Sequence, residues 1–265
     1  MYDFTYHRPG SLDEARGYLE AGSEPALLAG GMTLVPIMKQ RLASPSDLID
    51  LSGIEELRGI CEEGEALVIG AMTDHAAVAG STLVQTCIPA LAQLAASIGD
   101  PQVRNRGTLG GSIANNDPAA DYPAALLGLG ATITTDRRKI TADDFFIDLF
   151  ETALEEAEII TAVSFPVPQQ AAYVKFSQRA SRFALVGVFA ARGPAGTRVA
   201  VTGAAPCVFR ISEMEAALSA EFSPDALAGI SIDPEGLNAD IHAGTEYRAH
   251  LITVLARRAV TAAAA

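Results

Sequence analysis

Cysteine is scarce in this chain, and the scarcity is informative. Its three cysteines, Cys61, Cys87 and Cys207, lie far apart, with no Cys-x-x-Cys pair and no histidine at metal-ligand spacing. That excludes an iron–sulfur cluster held by this chain and fits three reduced thiols in a reducing compartment. Positive charge is also short: 19 Lys and Arg stand against 32 Asp and Glu, a net charge of -13, so a phosphate backbone is repelled and nucleic acid is excluded as a partner. No apolar run reaches the roughly 18 residues of a membrane span, so no direct membrane insertion is expected. Met1 to Tyr6 alternates like a strand rather than a signal peptide, and the expected location is cytoplasmic. The four histidines, His7, His75, His242 and His250, share no motif, and no nucleophile–base–acid triad can be assembled.

What is present centres on residues 98 to 123. Gly107, Gly110 and Gly111 flank Thr108 and lead into small polar residues, so the backbone can turn sharply and approach a ligand. Exposed amides in such a turn form an anion-binding concavity, to which the Thr108 and Ser112 hydroxyls add donors. Valine at Gly110 or Gly111 is expected to crowd a bound pyrophosphate. A second stretch, Leu28 to Val35, repeats the character: an apolar run, paired glycines, a hydroxyl, then a helix start that brings its positive end to an anion. Neither stretch fits the Walker pattern or the G-x-G-x-x-G dinucleotide fingerprint. Two cradles imply one long diphosphate ligand.

Ala29-Gly30-Gly31-Met32-Thr33 and Thr108-Leu109-Gly110-Gly111-Ser112, with Val103 to Gly107 before the second and Asp117-Pro118 through Asp121-Tyr122-Pro123 after it, resemble the FAD-binding medium subunit of the molybdenum hydroxylases. Carbon monoxide dehydrogenase and the xanthine dehydrogenases are members, and the resemblance covers nearly the whole chain. It implies an α+β fold: a PCMH-type, vanillyl-alcohol-oxidase-like FAD-binding domain of two α+β subdomains, followed by a C-terminal sheet-and-helix domain. It implies FAD held by Leu28, Ala29, Gly30, Gly31, Met32, Thr33, Leu34 and Val35 and by Thr108, Leu109, Gly110, Gly111 and Ser112, at the pyrophosphate and its flanking sugars. Asp121 would accept from an FAD hydroxyl, Ile160 would offer a backbone contact, and Lys175 would stand near the flavin ring. Phe183 falls where relatives have an aromatic near that ring, or else in the core; Arg104 and Arg106 are candidate phosphate or partner anchors. Met32 departs from the polar residue common in that loop, which removes one side-chain hydrogen bond but not the backbone cradle. The implied partners are an iron–sulfur small subunit with two 2Fe-2S clusters and a molybdopterin large subunit, in a dimer of heterotrimers, with a small electron acceptor outside. A scaffold subunit without FAD and a stand-alone FAD oxidoreductase are the competing readings.

At 265 residues the chain exceeds one small domain. The expected division is an FAD-binding domain over 1–168, with subdomains of about 1–54 and 55–168, and a C-terminal domain over 169–265, the boundary falling at Pro166-Val167-Pro168. Ser11-Leu12-Asp13-Glu14 has the form of a capping box. Helices are expected over 33–42, 89–97, 117–127, 213–220 and 247–263, with Thr73 as a helix cap and proline in the first turn of the second. Strands are expected over 26–28, 48–51, 66–72, 131–135, 158–165, 172–178, 185–191 and 198–202.

Overall fold

The computed structural model describes residues 1–264. Three sheets follow one another along the chain. The first is parallel, in the order β1-β3-β2, from β1 (Thr5–His7), β2 (Pro25–Leu28) and β3 (Asp47–Asp50). Helix α1 (Leu12–Ala21) is capped by Ser11, whose hydroxyl accepts from the Glu14 amide at 3.2 Å, while the Glu14 carboxylate takes the Gly10 amide. Helix α2 (Leu34–Lys39) is shorter than the expected 33–42, because Gln40 caps it and Arg41 turns to a positive φ of 61°.

Two short 3-10 turns lead from Leu51 to the second sheet. β4 (Ile60–Glu63), β5 (Ala66–Gly70), β6 (Thr132–Thr135), β7 (Lys139–Thr141) and, later, β10 (Ile160–Pro166) assemble antiparallel in the order β4-β5-β10-β6-β7. Helices α3 (His75–Gly80), α4 (Thr82–Cys87), α5 (Pro89–Ser97), α6 (Pro101–Arg104), α7 (Leu109–Asn115) and α8 (Tyr122–Leu129) lie between β5 and β6 in the chain. Asp74, not Thr73, caps α3, accepting from the Ala77 amide at 2.8 Å; the Thr73 hydroxyl instead donates to the Gly59 carbonyl. The four-residue α9 (Ala142–Phe145) runs into a hairpin, β8 (Phe146–Asp148) with β9 (Glu151–Thr152).

The third sheet is antiparallel, β11 (Gln170–Ser177), β12 (Ala184–Gly193), β13 (Gly196–Thr202) and β14 (Phe209–Arg210) in sequential order. Helices α10 (Ser212–Ala220) and α11 (Thr245–Ala263) pack on it, and buried Arg248 ties α11 to the Leu185 and Gly203 carbonyls. Helix α8 is apolar all round and buried along its whole length, as a helix enclosed on every side must be. It touches β10 as well as β12 and β13, and a Cβ at Gly128 would sit 2.6 Å from the Phe189 ring.

Helix α8 starts at Tyr122 rather than at the expected Asp117-Pro118. The reason is tertiary. The Pro118 carbonyl is taken by the Gly203 amide and the Thr202 hydroxyl, and the Ala120 carbonyl by the same hydroxyl at 2.6 Å. Those acceptors are therefore not free to propagate a helix. Asp117 closes a local turn on the Ala119 amide instead. No helix among the described residues is long and apolar enough to cross a membrane.

Candidate functional site

Between the first and second sheets, and covered in part by the β11–β12 connection, lies a cleft of about 480 Å³. That volume falls within the roughly 300–1,000 Å³ of cofactor and small-molecule sites. Both glycine loops line it, the first at the end of β2 and the second at the start of α7.

The two loops touch through their backbones. A Cβ on Gly30 would stand 2.1 Å from the Arg106 carbonyl oxygen and 2.7 Å from the Gly107 Cα, so glycine is required for the approach. Gly31 adopts φ 72°, the left-handed turn that sends the chain from β2 into α2. None of the amides of residues 30–34 donates to a protein acceptor, and Thr33, at the N-cap of α2, makes no capping bond with its side chain. Five backbone donors and a hydroxyl thus stand unspent at the wall of the cleft, at the positive end of a helix.

The second loop differs from its expected form. Its amides are not open: Leu109 donates to the Thr73 carbonyl at 3.0 Å, Gly110 to the Ala71 carbonyl at 2.8 Å, Gly111 to the Thr108 hydroxyl at 3.1 Å and Ser112 to the Thr108 carbonyl at 3.0 Å. Its glycines likewise make room for protein rather than for ligand. A Cβ on Gly110 would meet Ala71 at 2.6 Å, one on Gly111 would meet the Thr108 hydroxyl and Ala29, and one on Gly107 would lie 2.6 Å from the His75 Nε2. Valine at Gly110 would therefore push the loop off β5 rather than crowd a pyrophosphate directly.

Below the second loop sits a buried polar cluster. The Asp121 carboxylate accepts from the Tyr173 hydroxyl at 2.5 Å and from the Lys175 ammonium at 2.9 and 3.1 Å. Lys175 also donates to the Ser97 and Arg182 carbonyls. Burial pushes the Asp121 carboxyl up, against the pull of Lys175 and Tyr173. Asp121 lines the cleft, whereas Lys175 does not. Its ammonium stands one residue behind the cleft wall, where it holds Asp121 and the 178–183 connection. His75, at the start of α3, also lines the cleft, and its amide binds the Gly107 carbonyl. Burial drives its pKa down to about 4, with a smaller opposing pull from Asp74, so the imidazole is neutral. Its Nδ1 and the nearby Tyr122 hydroxyl have no protein partner. Glu158 lines the cleft as well, with a pKa lowered to about 2, first by its bonds to Arg138.

Of the residues named from the sequence, the cleft is lined by Ala29, Gly30, Gly31, Met32, Thr33, Leu34, Thr108, Gly110, Gly111, Ser112, Asp121 and Ile160. Leu28, Val35, Leu109 and Lys175 stand behind that wall. Phe183 is on the cleft and half-exposed, not in the core. Arg104 donates from Nη1 to the Ile98 and Gly99 carbonyls and does not line the cleft. Nothing in the sequence assigned His75, Glu158 or Ala71 to the cleft; the expected cap at Thr73 only placed a helix start near His75. Among the described residues no group of three His, Cys, Asp or Glu could hold a metal ion.

Residues 2–168 match the family described as the FAD binding domain in molybdopterin dehydrogenase. The chain is 37% identical to the carbon monoxide dehydrogenase medium chain of Hydrogenophaga pseudoflava, over 98% of this chain and 96% of that one. It is 35% identical to the nicotine 6-hydroxylase medium subunit of Paenarthrobacter nicotinovorans, over 98% and 97% of the two chains. Among solved structures, a chain of reconstituted CO dehydrogenase from Oligotropha carboxidovorans superposes with a TM-score of 0.89 at 34% identity, covering 98% of this chain and 97% of that one.

Proposed function

We propose, from the premise that this chain belongs to the FAD-binding-domain family of the molybdopterin dehydrogenases, that it is the station at which a molybdenum hydroxylase changes electron carriers. It is a medium, FAD-binding subunit of an oxidoreductase complex of that type. In this reading it receives electrons singly from the 2Fe-2S clusters of a small subunit. It passes them in pairs to a small external acceptor, while a molybdopterin large subunit oxidises the substrate. FAD supplies the redox chemistry, since it takes up single electrons and releases pairs.

The chain's own residues bind and orient. The observation that carries the reading is the row of unspent amides from Gly30 to Leu34, with the Thr33 hydroxyl, on the wall of a cleft of about 480 Å³. Backbone donors at a helix start suit the pyrophosphate of a dinucleotide. The second loop, its amides already used, forms a fixed opposite wall and offers the Ser112 hydroxyl. Asp121 spends three of a carboxylate's roughly four acceptor positions on Tyr173 and Lys175, which leaves one for a ribityl or ribose hydroxyl. Ile160 gives a backbone and apolar contact, and Phe183 shields the open side. The reading assigns an FAD-binding domain to 1–168, with subdomains of about 1–54 and 55–168, and a C-terminal domain to 169–265; the succession of three sheets supports that division.

The test is the visible spectrum of the purified chain before and after FAD is added. Bands near roughly 370 and 450 nm, at one flavin per chain, are expected of a site built to hold a redox cofactor. A chain that stays colourless and takes up no FAD would hand the assignment to the scaffold reading.

A further inference from the structure

The β8–β9 hairpin has no part in the binding site, yet the fold holds it with care. Three large apolar side chains stand out from it: Ile147 is 53% exposed, Leu149 52% and Phe150 57%. Leu149 and Phe150 form its two-residue tip, between the paired Asp148 and Glu151. Half-exposed side chains of that size present on the order of 300 Å² of apolar surface, the scale at which a patch on a soluble protein marks an interaction site.

Backbone strain points the same way. Phe150 adopts φ 55°, one of five non-glycine residues at positive φ among those described. For a bulky side chain that region is an outlier and persists only where the surroundings enforce it. Here the enforcing group is Asn116, itself left-handed at φ 42° and almost fully buried. Its side-chain amide donates to the Asp148 and Glu151 carbonyls, both at 2.8 Å, and its backbone carbonyl accepts from the Phe150 amide at 3.3 Å. Glycine or asparagine at position 150 would relieve the strain, and the chain keeps phenylalanine, turned to solvent. Asn116 also caps α7, the helix that begins with the second glycine loop. Its neighbours Asn115 and Asp117 line the cleft, as does Leu154 just beyond β9. The knob is thus fixed to the cleft's own wall.

We propose that this hairpin is a docking knob for another chain of the same complex, one that presents an apolar pocket rimmed by lysine or arginine. Its charge selects such a partner. Asp144, Asp148 and Glu151 are exposed around the knob on a chain of net charge -13, so a second copy of this chain would meet acid with acid. Its position selects the same partner, because a chain seated there lies against the cleft through which electrons must pass. The patch is smaller than the roughly 800 Å² that each partner buries in a stable interface, so it is the anchor of a wider contact. The inference rests on the subunit reading above.

The test uses the complex purified through a tag on this chain, comparing wild type, the double variant Leu149→Ser with Phe150→Asn, and Ile241→Ser as an exposed apolar control. Asparagine tolerates the left-handed backbone, so folding is preserved. The double variant is expected to keep its FAD absorbance and melting temperature while binding its partner chain at least tenfold more weakly; the control is expected to match wild type. A photo-crosslinking phenylalanine analogue at Leu149 in the intact complex is expected to label that different chain. A complex indifferent to the double variant, or a crosslink only to a second copy of this chain, would overturn the docking site and leave the subunit reading standing. Wild type that purifies alone, with no other chain, would overturn both.

Discussion

In the first glycine loop the amides of residues 30–34 reach no protein acceptor, whereas in the second those of residues 109–112 are taken up by Thr73, Ala71 and Thr108. Both stretches bring a glycine pair and a hydroxyl to the start of a short helix, and both border the same cleft. Their glycines do different work. Gly30 and Gly31 let one loop turn and lie against the other, leaving donors over; Gly107 and Gly110 let the second loop settle onto His75 and β5, using its donors up. A ligand-binding cradle needs both halves: one wall kept polar and open, and another satisfied enough to be rigid.

The sharpest way to break this arrangement is to separate the loops. Gly30→Ala places a Cβ 2.1 Å from a carbonyl oxygen of the second loop, a backbone contact that no rotamer can relieve. A stability loss at the upper end of the roughly 1–3 kcal/mol of overpacked sites is expected. FAD uptake should be lost with it, in a titration followed at the flavin band. An unchanged melting temperature would mean that the loops are not in contact.

Acid should act on the second wall through His75. The folded pKa of His75, about 4, lies below the unfolded value of 6.5, so the folded state binds fewer protons. Its contribution is complete above pH 6.5 and is lost as pH falls towards 4, to a total of at most about 3 kcal/mol. Glu158, lowered from 4.5 to about 2, has the same sign in a lower window, intact above pH 4.5 and lost towards pH 2. Urea midpoints measured from pH 7 to 4 should fall less in His75→Asn than in wild type. Parallel curves for the two proteins would count against a neutral buried imidazole.

The smallest effect separates the two hydroxyls. Thr108→Val removes the cap on the Gly111 amide and is expected to cost about 1 kcal/mol of stability. Thr33→Val removes no protein bond, so stability should stay within about 0.5 kcal/mol. FAD affinity, in contrast, should fall up to about tenfold, the value of one lost hydrogen bond. The reverse pattern, with Thr33 stabilising and Thr108 silent towards folding, would exchange the roles given to the two loops.

The sequence by itself determined what depends on near neighbours. The capping box at Ser11, the proline-started α5, the three long strands of the third sheet and the position of both glycine loops were legible because their signals lie within a few residues. Twelve of the sixteen residues expected to hold a cofactor line the cleft, ten of them on the two loops. Tertiary structure decided what each polar group is spent on. Asp117-Pro118 looked like a helix start until Thr202 and Gly203, over 80 residues away, took its carbonyls. Lys175 looked available until Asp121, 54 residues before it, claimed its charge in a site too buried to leave either ion unpaired. A donor's type is written in its residue, but its vacancy is set by which acceptors folding brings within about 3 Å, and only the assembled chain fixes that.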